Sequence, residues 1–134
     1  MGRCFADTYF WLALIRERDA EHRRAVECWG RLGTGKIITT AWVLVELADG
    51  MSRLGSRAVC ALFVEDLCCE GTVQAVEPNA SLLWRGFELY PSRADKEWSL
   101  TDCISFTVMA DEGLTDALTG DRHFEQAGFC ALLK

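Results

Sequence analysis

The chain has 134 residues, half of them apolar and a quarter charged, which suits one folded domain spanning 1–134 and leaves no room for two. Fourteen basic residues against twenty acidic ones leave a net charge of −6, so any action on nucleic acid must rest on bound metal or local cations. The longest uninterrupted apolar stretch, Tyr9 to Ile15, is far short of the about 20 residues a membrane-spanning helix needs.

Arg3 to Ala6 reads as a short buried strand, followed at once by a helix through Ile15. Asp19 has the character of an N-cap, and the helix after it carries Ala25, Val26, Trp29 and Leu32 at helical spacing until Gly33 closes it. Lys36 to Thr39 is a second strand. Thr39 or Thr40 caps a helix from Trp42 to about Leu54, stopped by Gly55. Ser56 opens another, with Val59, Leu62, Phe63 and Leu67 on one face, ending near Gly71, and Thr72 to Val76 alternates as a third strand. Pro78 and Asn79 start a helix with Leu83, Phe87 and Tyr90 on one side, which Pro91 ends; a polar loop, Ser92 to Trp98, follows. Ser99 caps a helix from Leu100 to Glu112, closed by Gly113. Asp116 to Thr119 is a fourth strand, Arg122 to Ala127 a short helix, and Phe129 to Leu133 a fifth strand. Strands alternate with helices nearly throughout, with no repeat or linker, so the expected class is α/β with a mainly parallel sheet of four to five strands and helices on both faces. Seven cysteines, odd in number and without a Cys-x-x-Cys pair, suit neither a disulfide framework nor a zinc site and point to a reducing cytoplasm. Charged residues flanking Tyr9–Ile15 argue against an export signal.

Sites in open parallel sheets form at the carboxyl ends of strands, and two acids fall there: Asp7 after the first strand and Asp121 after the fourth. Glu46 lies within Ala41-Trp-Val-Leu-Val-Glu-Leu-Ala48, apolar on every side, where a carboxylate is seldom buried unless paired or holding a metal. Asp102 lies in the first turn of its helix. Each has a local alternative: Asp7 and Asp121 as helix caps, Asp102 in a Ser-x-x-Asp capping box with Ser99, and Glu46 pointing out at the helix rim. If they gather, two carboxylates about 4 Å apart repel by roughly 4 kcal/mol at an effective dielectric of about 20. Repulsion of that size calls for a cation, and an all-oxygen set suits Mg²⁺ or Mn²⁺ rather than zinc. Arg16, Arg18, Arg23, Arg24, Arg53 and Arg57 are candidate contacts to a nucleic-acid backbone, or simply solvated helix faces.

Phe5-Ala-Asp7-Thr8, Asp19-Ala-Glu-His22, Thr39-Thr-Ala-Trp-Val-Leu-Val-Glu46, Ser99-Leu-Thr-Asp102-Cys-Ile-Ser-Phe106 and Leu118-Thr119-Gly-Asp121-Arg-His-Phe124, with Gly128-Phe129, follow one another in this order. That series resembles the PIN-domain family, in particular the VapC-like ribonucleases, from the N-terminus almost to the last residue. The resemblance implies a three-layer α/β/α fold and a metal-dependent endoribonuclease that hydrolyses RNA phosphodiester bonds. It implies that Asp7, Glu46, Asp102 and Asp121 bind the metal and catalyse, with Thr119 as a supporting hydroxyl. It implies a homodimer and a toxin held in check by an antitoxin protein. Tyr9 stands where many relatives have a small polar residue, and His22 and His123 fit the pattern without being expected as ligands. Two other readings compete: a phospho-acceptor receiver module, which the solitary Asp7 and the lack of lysine between Arg122 and Lys134 disfavour, and a catalytically silent PIN-like module that binds nucleic acid or protein.

Overall fold

Residues 2–32, 36–69 and 71–134 are described by a computed structural model. Among them, β1 (Cys4–Ala6), β2 (Ile37–Thr40), β3 (Val73–Val76), β4 (Asp116–Leu118) and β5 (Cys130–Ala131) form one sheet in the order β3-β2-β1-β4-β5, with every neighbouring pair parallel. Strand order reverses at β1. It lies between β2, reached through the first helices, and β4, reached only after most of the chain. Both β1 and β2 are buried at every position, as expected of central strands covered on both faces.

Connecting the strands are α1 (Thr8–Ile15), α2 (His22–Arg31), α3 (Ala41–Gly50), α4 (Arg57–Cys69), α5 (Ala80–Ser92), α6 (Leu100–Glu112) and α7 (Arg122–Gln126). Side-chain alternation along β1 sends Phe5 toward Phe124 of α7, which stacks edge-on against Phe106 of α6. On the other face Trp11 meets Trp29 and Phe63 edge-on. The expected three-layer α/β/α arrangement is therefore present. No helix among the described residues is long and apolar enough to cross a membrane.

Several ends and faces differ from the sequence expectation. The helix after β2 stops at Gly50 rather than near Leu54, because Met51 turns its side chain into the core and the Ser52 hydroxyl donates back to the Ala48 carbonyl. Gly55, at φ +89°, belongs to the turn that follows. In α4 the buried line runs through Cys60 and Leu67, and Val59 and Leu62 face outward. In α5 it runs through Leu82 and Gly86, leaving Phe87 and Tyr90 exposed beside Trp84. The face of α5 is thus rotated by one residue, while that of α4 keeps Leu67 and the core-packed Phe63 and trades Val59 and Leu62 for Cys60, since each helix has apolar groups on more than one side and packing selects among them. Pro91 lies inside the last turn of α5, and β5 is only two residues long. Asp19 does not cap α2: its Oδ1 accepts from the Glu21 amide at 2.9 Å, and Glu21 holds the N-cap position. The stop expected at Gly33 lies outside the described residues.

Small size at Gly86 brings α5 close to α6. A Cβ placed there would lie 2.5 Å from Ile104 Cγ1, near the root of a fully buried side chain that cannot swing aside. Gly86→Ala should therefore destabilise the protein by about 1–3 kcal/mol through overpacking, against a gain of about 1 kcal/mol in helix propensity. Urea unfolding would show a lowered midpoint; a raised one would mean that the α5–α6 contact has room to spare.

Candidate active site

Four of the expected residues meet where the strand order reverses. Asp7 follows β1 directly and has the extended backbone of an N-cap, φ −92° and ψ 166°, but its side chain makes no cap bond. Its Oδ2 instead accepts from the Thr119 hydroxyl at 3.1 Å, just past the end of β4. That hydroxyl in turn accepts from the Asp121 amide at 3.0 Å. Asp121 Oδ1 accepts from the His123 amide at 2.9 Å and so caps α7.

The His123 ring closes the arrangement. Its Nδ1 lies 3.0 Å from Asp102 Oδ2 and 3.5 Å from Asp121 Oδ1. Asp102 Oδ2 also accepts from the Ser99 amide at 3.1 Å, while the Ser99 hydroxyl accepts from the Asp102 amide at 3.0 Å. This is a complete capping box at the start of α6. Both side-chain contacts fall on Oδ2, so the cap and a site role at Asp102 are compatible. Glu46, half-buried on α3, accepts from the Thr8 hydroxyl at 2.5 Å, which ties it to the residue beside Asp7.

Crowded acids in a buried corner cannot all ionise freely. Burial, and after it the Asp102 charge, drives the Asp7 carboxyl up from 3.8 to about 7, with Glu46 adding to the rise; the Thr8 amide and the Thr119 hydroxyl act against it. Burial also raises Asp102, opposed by the Ser99 amide and the His123 ring, while the Asp121 charge adds to the rise.

Among the described residues, ligand atoms of Asp102, Asp121 and His123 lie within 4.8 Å of one another, close enough to share a cation. Asp7 and Glu46 stand outside that trio and reach it through the Thr119 hydrogen bonds and through charge. His123, not expected as a ligand from the sequence, lies with its ring among these carboxylates. Its available signal was position: two residues after an N-cap Asp, the amide is fixed by the cap and the ring can turn back over it. A groove of about 610 Å³ between α3 and α4, lined by Leu44, Met51, Cys60 and Val64 among others, shares no residue with the acidic corner.

The family model for the PIN domain matches residues 4–129. The chain belongs to the PIN-domain family. This PIN domain is 30% identical over 130 residues to the 23S rRNA-specific endonuclease VapC20 of Mycobacterium tuberculosis, covering 93% of this chain and 94% of the relative. The crystal structure of Mycobacterium tuberculosis VapC20, described as a sarcin–ricin-loop-cleaving toxin, matches with a TM-score of 0.85 at 27% identity, over 94% of this chain and 95% of that one. VapBC from Salmonella typhimurium, solved bound to DNA, shares the fold at a TM-score of 0.69 and 16% identity, over 98% of this chain and 97% of that one.

In the metal-free PIN domain, Asp7 has a carboxyl raised above its value in the unfolded chain, so folding takes up a proton. That contribution is whole below pH 3.8, fades as pH rises toward about 7, and is gone above it. Metal-free wild type should lose on the order of a few kcal/mol across that window, measured by urea unfolding at successive pH values. Asp7→Asn should show a flatter profile and exceed wild type most at alkaline pH. Parallel profiles for the two proteins would remove Asp7 as the source.

Proposed function

We propose that this PIN domain is a divalent-cation-dependent endoribonuclease and the toxin of a toxin–antitoxin pair. In this reading Asp7, Glu46, Asp102 and Asp121 are its metal-binding and catalytic acids, with Mg²⁺ or Mn²⁺ as the cation. The observation that carries it is the meeting of buried Asp7 and Asp102 with Asp121 and His123 at the reversal point of the sheet. Carboxylate oxygens fit such a cation, and a carboxyl held at about 7 by burial and its neighbours is one that a cation relieves.

When bound, the cation polarises the scissile phosphate and activates the attacking water. Asp7, Asp102 and Asp121 hold it. Glu46, steadied by the Thr8 hydroxyl, holds metal, orients the attacking water, or both. Thr119 keeps Asp7 in place, and His123 keeps Asp102 from swinging. Arg16, Arg18, Arg53 and Arg57 are exposed and serve as contacts to phosphates farther along the RNA. Arg16 already donates to the Gly50 carbonyl at 2.9 Å, at the end of α1 away from Asp7, and Arg57 to the Ser52 carbonyl at 3.3 Å.

Likeness to VapC20 makes 23S ribosomal RNA around the sarcin–ricin loop the first substrate to try. In this reading the protein is a cytoplasmic enzyme and a homodimer, an antitoxin covers the acidic corner, and the whole chain acts as one PIN unit. An end-labelled RNA carrying that loop should be cut by wild type with Mn²⁺ and spared with EDTA. Partners behind a metal ligand are each worth about 10–100-fold, so Asp7→Asn and Asp102→Asn should lower cleavage by at least about a hundredfold. Equal cutting by wild type and variants would reveal a contaminating nuclease. RNA binding without cutting of any RNA offered would make the protein a silent binding module. Expression should arrest growth, and co-expression of the antitoxin should relieve the arrest; growth unaffected by the active nuclease would remove the toxin role.

A further inference from the structure

Tyr9 sits in the first turn of α1, next to Thr8 and two residues past Asp7. Its neighbours Phe10 and Trp11 are fully buried, whereas Tyr9 is 36% exposed. Its hydroxyl has no hydrogen-bond partner among the described residues, and part of the ring is open to solvent.

The ring lies against Gly120. A Cβ on Gly120 would come within 2.6 Å of Tyr9 Cζ and Oη and 2.9 Å of Cε1. Gly120 separates Thr119 from Asp121, so the absence of a side chain there lets an aromatic plane lie across the loop that delivers both. Asp121, Asp19, Glu21 and Arg24 all act electrostatically on the Tyr9 hydroxyl. Tyr9 therefore stands at the edge of the acidic corner, beside the Gly120 loop, with part of its surface open to solvent.

An acidic corner repels phosphate except where a cation sits, so it gives a nucleotide's base nothing to hold. Single-stranded RNA is gripped at such places by stacking of unpaired bases on aromatic side chains. We infer that Tyr9, seated on Gly120 at the lip of the acidic corner, is the platform on which the base of a nucleotide adjoining the scissile phosphate stacks, and so sets where this PIN domain cuts. The assignment rests on the ribonuclease reading above. It makes Tyr9 a specificity-determining residue and leaves the chemistry to the acids.

The probe is the RNA that wild type cuts, remade with an abasic nucleotide on one side of the mapped cut and then on the other. For wild type, one of these changes should raise KM between roughly fivefold and a hundredfold, the range that loss of one base–aromatic stack gives. Tyr9→Leu should show that raised KM on intact RNA and no further response to the same abasic change. Tyr9→Phe, which keeps the ring, should restore the wild-type response. Mn²⁺ affinity, measured by calorimetry on the metal-free proteins, should be the same in wild type and both variants. If Tyr9→Leu responds to abasic substitution as wild type does, the stacking role is wrong while the nuclease stands. Weakened Mn²⁺ binding in Tyr9→Leu would also overturn it, by reducing the ring to a cover for the Gly120 loop. If wild type cuts no RNA, the ribonuclease reading fails first and the stacking role with it.

Discussion

One buried hydroxyl joins the two halves of the acidic corner. Thr119 donates to Asp7 from the end of β4 and accepts from the Asp121 amide, so a single oxygen fixes one acid by its side chain and another by its backbone. The β1–β4 pairing, Phe5 beside Ala117 and Ala6 beside Leu118, brings these groups level. Carboxylates that repel one another in a desolvated pocket would otherwise splay apart. A neutral donor holds them without cancelling their charge, and a corner that stays short of positive charge is the one that draws a cation.

Around that joint, helix starts are used twice. Asp102 completes the cap of α6 and Asp121 caps α7, yet each offers its carboxylate to the same space as His123. A helix N-terminus carries partial positive charge and unpaired amides, and at α6 and α7 each such end is met by a carboxylate. The protein's overall negative charge is then no obstacle to handling RNA. Attraction is confined to a point, and the remaining surface leaves nucleic acid alone unless an arginine meets it.

Much of this was legible in the residues. Ser99 three places before Asp102, and Gly113 after Glu112, marked both ends of α6 correctly, because capping is a local matter of side chain and backbone. A carboxylate at position 46, apolar on all sides, announced a partner, and the Thr8 hydroxyl is one. Buried faces were harder. In α4 and α5 apolar groups ring much of the helix, so periodicity alone found Leu67 but not Cys60 on the buried side of α4, and not the line through Leu82 and Gly86. Packing across distant segments selected it, and Gly86 against Ile104 shows how. The Asp7 cap failed for a similar reason: its competitor, Thr119, lies 112 positions away. His123 was hidden because its importance arises only after α6 and α7 are docked.

Dual employment at Asp102 has an evolutionary corollary. On the proposed assignment, a cell escaping a harmful nuclease can disarm it by changing any of the four acids, but the changes are not equivalent. Loss of the Asp102 carboxylate also removes one half of a capping box and slackens the start of α6, so such a lesion erodes the folded protein along with its activity. Glu46 lies in the body of α3 and is tied only to Thr8 among the hydrogen bonds described. Lineages that keep the folded chain while giving up the chemistry should therefore drift at position 46 before position 102.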